Sequence, residues 1–286
     1  MEKIAFIGLG MMGWPMAKRL HQAGYPLLLA DARQDVVDRF VQEHPGAGAV
    51  TNPEAYKDCT VFITMLPNSD IVDAVVAQIL PFISPGSCLI EMSSADPTQT
   101  RALAERLAKK QVNLIDAPVS GGVKKAMDGQ LSIMVGGEPE PLKKAQAILK
   151  TMGKSVMHVG GVGAGHALKA LNNYVSAAAL IATAEAVKVG AAFGIEPSVV
   201  VDVLNVSTGK NNTTENKAHQ FMLNEAFNSG FSLALQAKDV AIAESLARNM
   251  GFSMSMAQCT RQITTEASQA LGPTADHTEL FRYLGA

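Results

Sequence analysis

A glycine-rich motif near the start of the chain limits the fold more than any other feature. The apolar run Lys3–Ile7 is typical of a short strand, and Gly8-Leu9-Gly10-Met11-Met12-Gly13 follows it directly. Helical spacing continues to Gly24, and a second apolar run, Leu27–Ala30, ends in Asp31. A strand, a G-x-G-x-x-G motif, a helix, a second strand and an acidic residue in this order predict a βαβ unit that binds a dinucleotide.

The three glycines of this motif meet different physical requirements. Gly8 permits the tight turn after the strand, and Gly10 lets backbone N–H groups approach a pyrophosphate. Gly13 lets the helix pack closely on the strand, which leaves the pyrophosphate at a helix N-terminus with its unpaired N–H groups. We therefore expect Gly8, Leu9 and Gly10 to form the cofactor-binding loop.

Asp31 bears on the choice between NAD and NADP. Its carboxylate suits the ribose hydroxyls, and it would repel a 2′-phosphate by about 1 kcal/mol in water and about 4 kcal/mol near a protein surface. This favours NAD. Arg33 lies two residues further on and can hold a 2′-phosphate if Asp31 turns away, so NADP stays possible.

Alternating strands and helices continue as far as Val159. Further runs that are typical of strands are Thr60–Leu66, Ser87–Glu91, Val112–Asp116, Leu131–Val135 and Ser155–Val159. This order predicts a mostly parallel, doubly wound α/β sheet of the Rossmann type, in which ligands bind beyond the carboxyl ends of the strands. Three polar segments follow predicted strands: Leu66-Pro67-Asn68, Ser93-Ser94 and Ser120-Gly121-Gly122.

The Ser120-Gly121-Gly122 segment is the most informative of the three. Two glycines after a serine can turn successive N–H groups into one concave surface that suits a carboxylate. A plain turn explains the same residues about as well. The segment is therefore a candidate binding site for a carboxylate, with the turn as its alternative.

The pattern changes after Gly160–Gly163. Long segments of helical periodicity replace the strands: Ala167–Phe193, Pro197–Ser207, Glu215–Asn224, Leu235–Met250 and Met254–Ala270. We predict a dinucleotide-binding domain over residues 1–162 and an all-helical domain for substrate binding and oligomerisation over residues 163–286. The first of these helices is too long and apolar to be covered by a small domain alone, so we expect it to pack against the sheet domain and against a second subunit in a dimer or tetramer.

One face of that first helix carries polar groups. Lys169, Asn172 and Asn173 stand at positions i, i+3 and i+4, so one amine and two amides project from the same side. Lysine is common on solvated helix surfaces, and for an isolated lysine that is the simpler interpretation. Whether Lys169 lies on the solvated surface or in a binding site depends on the residues before and after this helix.

Composition excludes several classes of protein. The net charge of −2 gives no electrostatic reason to expect nucleic acid or an anionic membrane as partner. Three widely spaced cysteines predict neither a disulfide framework nor a zinc site, and the early first strand leaves no room for a signal peptide, so we expect a cytoplasmic protein. None of the six histidines forms an H-x-x-x-H pair or has carboxylates clustered around it in the sequence, and no metal is expected. For His166 we expect a capping or packing role.

In this order, the motifs resemble the β-hydroxyacid dehydrogenase family, which includes 3-hydroxyisobutyrate dehydrogenase and tartronate semialdehyde (2-hydroxy-3-oxopropionate) reductase. The likeness covers essentially the whole chain. The segments that carry it are Gly8–Ala17, Met65–Asn68, Asp116–Gly122, Gly163–Asn173, Lys238-Asp239 and Thr274–His277.

The resemblance implies a reversible hydride transfer between NAD(H) and a small carboxylate-bearing substrate, a 3-hydroxy acid or the corresponding aldehyde acid. It makes Lys169 the catalytic residue and places Lys238 near the nicotinamide. Substrate-binding residues are implied to be Ser120, Gly121, Gly122 and Asn173. Residues implied to line the cofactor are Met11, Met12, Asp31, Leu66, Pro67 and Ser94.

Several alternatives bear on this interpretation. Sulfolactaldehyde reductases look like relatives but carry an Arg in the loop that here contains Ser120, which disfavours a sulfonate. Imine reductases on the same scaffold typically carry Asp or Tyr at the Lys169 position, and non-catalytic dinucleotide-binding relatives have lost this lysine, so its presence argues against both. A semialdehyde reductase that uses NADPH on succinate semialdehyde stays open, since a pocket separates such substrates by only about 1–3 kcal/mol.

Overall fold

The computed structural model describes residues 1–285 of the chain. The chain divides into two compact units, Met1–Lys169 and Ala170–Ala286. The first unit is built around a sheet and the second is helical, which confirms the predicted fold class.

Among residues 1–285, nine strands form one sheet in the first unit. They are β1 (Ile4–Ile7), β2 (Leu27–Ala30), β3 (Gly48–Ala49), β4 (Val61–Thr64), β5 (Cys88–Glu91), β6 (Asn113–Asp116), β7 (Val119–Ser120), β8 (Leu131–Gly136) and β9 (Gly153–Gly160). Their order is β3-β2-β1-β4-β5-β6-β8-β7, with β9 paired to β8. The first six strands in sequence run parallel, whereas β8 is antiparallel to both β6 and β7.

Helices connect the strands of this unit. They are α1 (Gly13–Gln22), α2 (Gln34–Glu43), α3 (Ser69–Ile79), α4 (Pro97–Ala108), α5 (Gly122–Met127) and α6 (Pro139–Met152), with short 3₁₀ segments at Pro53–Asp58 and Leu80–Phe82. N-cap side chains fix where two of these helices begin. Asn68 accepts the N–H of Ile71 before α3, and Asp96 accepts the N–H groups of Thr98 and Gln99 before α4.

Hydrophobic cores cover both faces of the sheet. On β1, Ile4 and Phe6 pack into one cluster while Ala5 and Ile7 pack into the other. Successive side chains of a strand point to opposite faces, so a strand covered on both sides needs an unbroken apolar run. This explains why β1 and β2 appear in the sequence as continuous apolar segments.

The second unit consists of helices and turns. The helix α7 (Ala164–Phe193) starts at the end of the first unit, and the helices that follow are α8 (Pro197–Asn205), α9 (Asn212–Asn216), α10 (Leu233–Asn249), α11 (Ser255–Leu271) and α12 (Leu280–Tyr283). A 3₁₀ turn spans His277–Glu279. One buried cluster joins Leu180 and Ile181 to Leu233 and Leu280, and another surrounds Val201 and Met222.

The predicted helix Glu215–Asn224 is wrong. The structure has the short helix α9, capped by Asn211, followed by a π-helical turn over Ala218–Met222. Lys217 separates the two, since its φ of −128° lies outside the helical range. The apolar residues of this segment are spaced like those of one helix. The polar run Asn211–Thr214 instead caps a short helix that begins before Glu215 and ends at Asn216.

Within the described residues, α7 is the one helix with the length and composition needed to cross a bilayer, at a mean hydropathy of 1.4. One third of the 18-residue stretch of α7 with this hydropathy is buried inside the protein. The interior helix of a soluble protein meets the same criteria of length and hydropathy.

Candidate active site

The glycine-rich loop between β1 and α1 is closely packed on one side and open on the other. Gly8 has a φ of +101°, and a Cβ atom there would lie 2.3 Å from the carbonyl oxygen of Met65. A Cβ atom on Gly13 would lie 1.9 Å from the carbonyl oxygen of Gly8, so the helix can rest on the loop only with glycine at this position. Nothing lies within 4 Å of the corresponding position on Gly10, which is exposed. The open side gives a pyrophosphate access to the backbone, as binding a dinucleotide requires.

Asp31 is fixed at the end of β2 by the backbone around it. Its Oδ2 accepts the N–H of Leu9 at 2.6 Å, and its Oδ1 accepts the N–H of Arg33 at 2.9 Å. The carboxylate is half-buried and therefore still reachable. The two bonds hold it toward the glycine loop, and each oxygen keeps a second lone pair for a ribose hydroxyl.

The ends of β4 and β5 bring two further predicted cofactor segments together. Thr64 and Glu91 are register partners at these ends, and the Leu66 N–H donates to Ser93 Oγ at 2.8 Å. Because β1 lies between β2 and β4, the glycine loop, Leu66-Pro67-Asn68 and Ser93-Ser94 follow neighbouring strands at the same edge of the sheet.

The exposure of the predicted cofactor residues varies. Leu9 is buried under the loop, Met11 is 72% exposed, and Met12 packs against the core. Pro67 is exposed and Ser94 half-buried. Asn68 uses its side-chain oxygen to cap α3, a role that its position before the helix would have indicated.

The Ser120-Gly121-Gly122 segment begins at the last residue of β7, a short antiparallel strand that the sequence did not indicate. Gly121 and Gly122 have φ angles of +134° and +69°. A Cβ atom on Gly121 would lie 2.7 Å from the side chain of Lys125. Both glycines are exposed, so their backbone is open to a ligand.

Lys169 lies in the second turn of α7 and is only 9% exposed. This rules out the solvated surface lysine that was the simpler interpretation of the sequence. Asn173, one turn further along the same helix, is also 9% exposed, whereas Asn172 is exposed. The Asn172 amide donates to Asn173 Oδ1 at 3.1 Å, and the Asn173 amide donates to Asp239 Oδ2 at 2.6 Å.

Asp239 connects two of the predicted residues in the second unit. It accepts from Asn173 through Oδ2 and forms an ion pair through Oδ1 with Lys238 Nζ at 3.4 Å. The Lys238 side chain is 26% exposed. Sequence reasoning noted the adjacent Lys-Asp pair but missed that the buried aspartate orients Asn173.

His166 has a different environment from the one expected. Carboxylates do cluster around it, since Glu91 Oε2 lies 2.8 Å from its Nε2 and Asp116 Oδ2 lies 3.8 Å from its Nδ1. These carboxylates end β5 and β6 and are far away in the sequence, so no local pattern could have indicated the cluster. Among residues 1–285 no group of three or more His, Cys, Asp or Glu side chains is arranged to hold a metal ion.

Comparison with known proteins agrees with this geometry. Residues 3–160 match the family described as the NAD binding domain of 6-phosphogluconate dehydrogenase. Residues 163–284 match the family described as NAD-binding of NADP-dependent 3-hydroxyisobutyrate dehydrogenase. Together the matches define an NAD(P)-dependent oxidoreductase.

Individual relatives narrow the class. The chain is 34% identical to mitochondrial 3-hydroxyisobutyrate dehydrogenase of Mus musculus over 98% of its own length and 86% of the relative. It is 36% identical to NAD-dependent L-serine dehydrogenase of Pseudomonas aeruginosa over 90% of its own length and 89% of the relative. A solved structure of Mycobacterium tuberculosis 3-hydroxyisobutyrate dehydrogenase with L-serine superimposes with a TM-score of 0.94 at 30% identity, covering 100% of both chains.

The chain belongs to the β-hydroxyacid dehydrogenase family. It is an NAD(P)-dependent hydroxyacid dehydrogenase, which confirms the family, the enzyme class and the cofactor class that the sequence indicated.

Proposed function

We propose that the enzyme interconverts a small 3-hydroxy acid and its aldehyde acid, of the 3-hydroxyisobutyrate or 2-hydroxy-3-oxopropionate type. The relatives' names support the substrate class, since 3-hydroxyisobutyrate and L-serine are both 3-hydroxypropanoates that carry a substituent on carbon 2. In the reductive direction the aldehyde gains a hydride at carbon and a proton at oxygen. The nicotinamide, when bound, supplies the hydride, so the protein must supply the proton.

Lys169 is the proposed proton donor, and its burial on α7 is the single observation that carries this assignment. A buried amine on a helix that begins beside the strand ends is held in place, whereas a surface lysine samples many positions. It donates the proton to the carbonyl oxygen in reduction and accepts it from the hydroxyl in oxidation.

The substrate carboxylate is assigned to Ser120, Gly121 and Gly122. Their exposed backbone with two positive φ angles supports this role, because N–H groups in such a loop can converge on an anion. Asn172 and Asn173 are assigned to the substrate or to the orientation of the Lys169 amine. The Asp239 bond supports this for Asn173, since it fixes which way that side-chain amide faces.

We assign the cofactor to Gly8, Leu9, Gly10, Met11, Met12, Asp31, Leu66, Pro67, Asn68 and Ser94, with Lys238 near the nicotinamide. NAD is preferred over NADP, because two backbone N–H groups hold Asp31 toward the glycine loop, where its charge opposes a 2′-phosphate. We further propose a domain boundary at residues 162–163, where the two family matches meet, and a soluble, cytoplasmic homo-oligomer.

A steady-state screen tests the proposed function. Methylmalonate semialdehyde, tartronate semialdehyde and succinate semialdehyde are offered with NADH and with NADPH, and 3-hydroxyisobutyrate and L-serine are offered with NAD and with NADP. We expect turnover of at least one 3-hydroxy acid or 3-oxo acid of the screen with the non-phosphorylated cofactor. Selective use of succinate semialdehyde with NADPH would replace this proposal by the alternative, and no turnover of any substrate would refute it.

A further inference from the structure

Three ionisable side chains are buried together beneath the first turn of α7. Glu91 and His166 are each 1% exposed, and Asp116 is fully buried. Glu91 ends β5, Asp116 ends β6, and His166 belongs to the helix. No step of the proposed reaction uses them, and burying three such groups is costly unless they compensate one another.

The polar contacts of the His166 ring indicate that both ring nitrogens carry protons. Nε2 faces the Ser93 carbonyl oxygen at 3.1 Å and the Glu91 carboxylate at 2.8 Å, and both are acceptors. Nδ1 lies 2.9 Å from Thr100 Oγ1, whose own proton is donated to the Asp96 carbonyl oxygen at 3.0 Å. A ring with acceptors at both nitrogens is an imidazolium.

The electrostatics of the cluster agree with this protonation. Burial alone would lower the pKa of His166, but the Glu91 carboxylate and, more weakly, Asp116 raise it above its ordinary value. Burial alone would raise the pKa of Glu91, but the charge of His166 holds it below its ordinary value. Glu91 Oε2 has no aligned hydrogen-bond donor within residues 1–285, so its short contact with the ring is an ion pair.

Asp116 holds the start of the helix directly. Its Oδ1 accepts the N–H of Gly163 at 2.7 Å, and its Oδ2 accepts the N–H of His166 at 2.9 Å. These are among the N–H groups that lack partners inside a helix, and the carboxylate also stabilises the positive end of the helix dipole. A Cβ atom on Gly165 would lie 2.4 Å from the Met134 carbonyl oxygen and 2.8 Å from Asp116 Oδ2, so this turn has little freedom to shift.

The same histidine reaches the cofactor segments. Its Nε2 binds the carbonyl of Ser93, whose hydroxyl accepts the N–H of Leu66. Lys169 follows His166 by three residues, which is about one turn of the helix. The cluster therefore ties the turn that carries Lys169 to the strand ends that carry Leu66 and Ser94.

We propose that His166 is a positioning residue, a buried cation between Glu91 and Asp116 that sets the location of Lys169 against the cofactor-binding strand ends. This inference rests on the proposed role of Lys169. It differs from a purely stabilising ion cluster because it predicts a loss of turnover in protein that is still folded and still binds cofactor.

The test compares His166→Leu and His166→Gln with His44→Leu. His44 is a matched control because it is also a buried histidine of the first unit, stacked on Phe40 and bonded to its carbonyl oxygen. The probes are NADH and the substrate of the screen that the wild type converts fastest. We expect His166→Leu to lower kcat about 100-fold, the scale of a misplacement of about 1 Å. KM and the NADH Kd should stay within about threefold of the wild-type values. His166→Gln keeps one hydrogen-bond donor, so its kcat should be about tenfold higher than that of His166→Leu. A kcat for folded His166→Leu that matches that of His44→Leu would overturn the proposal.

Two measurements do not depend on turnover. Nitrogen NMR of the wild type at pH 7 should show both His166 ring nitrogens protonated, and a neutral ring would refute the proposal. Amide hydrogen exchange over Gly163–Lys169, measured without cofactor, should be at least about tenfold faster in His166→Leu and unchanged in His44→Leu. Exchange unchanged in both variants would also refute it.

These measurements separate the two proposals. If the wild type converts no substrate of the screen, the proposed function fails, and NMR and hydrogen exchange alone decide the role of His166. If His166→Leu does not fold, Glu91→Gln replaces it, because that change removes one charge from the cluster without changing its shape. We expect Glu91→Gln to remove the ion pair with the His166 ring and to lower kcat by at least about tenfold, and an unchanged kcat would overturn the proposal.

Discussion

Each of the two units buries a histidine beside an aspartate, and the pKa values of the two histidines are shifted in opposite directions. His166 in the first unit has a pKa that Glu91 and Asp116 raise against the effect of burial. His277 in the second unit has a pKa lowered by burial and by the charge of Lys217, which together outweigh the contribution of Asp276. Both histidines are buried, so the charged groups around each ring decide the direction of the shift.

The difference follows from what each cluster holds. The His166 cluster surrounds the start of the helix that carries Lys169. The His277 cluster holds the C-terminal segment against the loop that precedes α10: Ser229 Oγ donates to Asp276, and the backbone N–H of His277 donates to the Phe231 carbonyl oxygen at 2.9 Å. We infer that the His166 cluster serves the proposed site, and that the His277 cluster maintains the fold. The predictions below test this division.

The largest expected effect is at Gly13. Gly13→Ala places a Cβ atom 1.9 Å from the Gly8 carbonyl oxygen, so α1 must move off the loop. We expect loss of folded protein or of all measurable NADH binding. Gly10→Ala is the control, since no atom lies within 4 Å of its new methyl group. It should fold normally and bind NADH at least about tenfold more weakly, as measured by fluorescence titration. Normal NADH binding by both variants would move the cofactor away from this loop.

The next effect concerns Asp31. Asp31→Asn removes the charge that opposes a 2′-phosphate, an interaction of about 1–4 kcal/mol. The ratio of kcat/KM for NADH to that for NADPH should fall about 10- to 100-fold. Asp35→Asn, an exposed change at the start of α2, should leave the ratio within about twofold. If Asp31→Asn also leaves it unchanged, another residue sets the cofactor preference.

The pH dependence of stability should have opposite signs for the two histidines. His166 has a raised pKa, so its contribution is complete below pH 6.5 and is lost as the pH rises through the folded-state pKa. His277 has a lowered pKa, so its contribution is present above pH 6.5 and is lost as the pH falls through the folded-state value. His166→Gln should therefore cost less stability at pH 9 than at pH 6, and His277→Gln less at pH 5 than at pH 7.

Urea unfolding midpoints at these pH values measure both effects. We expect the free energy of unfolding to fall by about 1–3 kcal/mol in each variant, the scale of a broken buried hydrogen-bond network. His277→Gln should leave the NADH Kd and kcat of the folded enzyme within about twofold. A large loss of kcat in His277→Gln would contradict the division between the two clusters.

The smallest effect is expected for the cysteines. Burial raises the pKa of Cys59 to about 11 and that of Cys88 to about 12, whereas Cys259 in the second unit is exposed. Since the thiolate is the reactive form, iodoacetamide at pH 8 should modify Cys259 alone and leave activity unchanged. Mass spectrometry of the digested protein identifies the modified residue, and rapid labelling of Cys88 would show that the sheet unit opens readily.

Much of the fold could be predicted from the sequence because its signals are local. Strands such as β1 and β2 are continuous apolar runs, and the glycine motif places the cofactor loop within a few residues. The two-residue strands β3 and β7 were missed because so short a run has no periodicity. The segment around Lys217 was predicted as one helix from its apolar spacing alone. That spacing carries no information about the cap that Asn211 forms on the short helix α9.

The site was only partly predictable for a related reason. Lys169 and Asn173 share a helix face, and that pattern is visible in the sequence. The partners of His166 are not visible, because Glu91 and Asp116 become its neighbours only when β5 and β6 pair. Likewise Asp239 meets Asn173 only in the folded second unit.

The central claim is that Lys169 supplies the proton for hydride transfer, and single-turnover kinetics of Lys169→Ala tests it most directly. NADH is bound first, the best aldehyde of the screen is added, and loss of NADH absorbance is followed. Lys188→Ala, on the same helix and packed against Phe281, is the control. We predict a rate 100- to 10,000-fold below wild type, about the range for removal of a general acid, with the NADH Kd within about threefold and partial rescue by added methylamine. A rate within about tenfold of wild type would contradict the assignment.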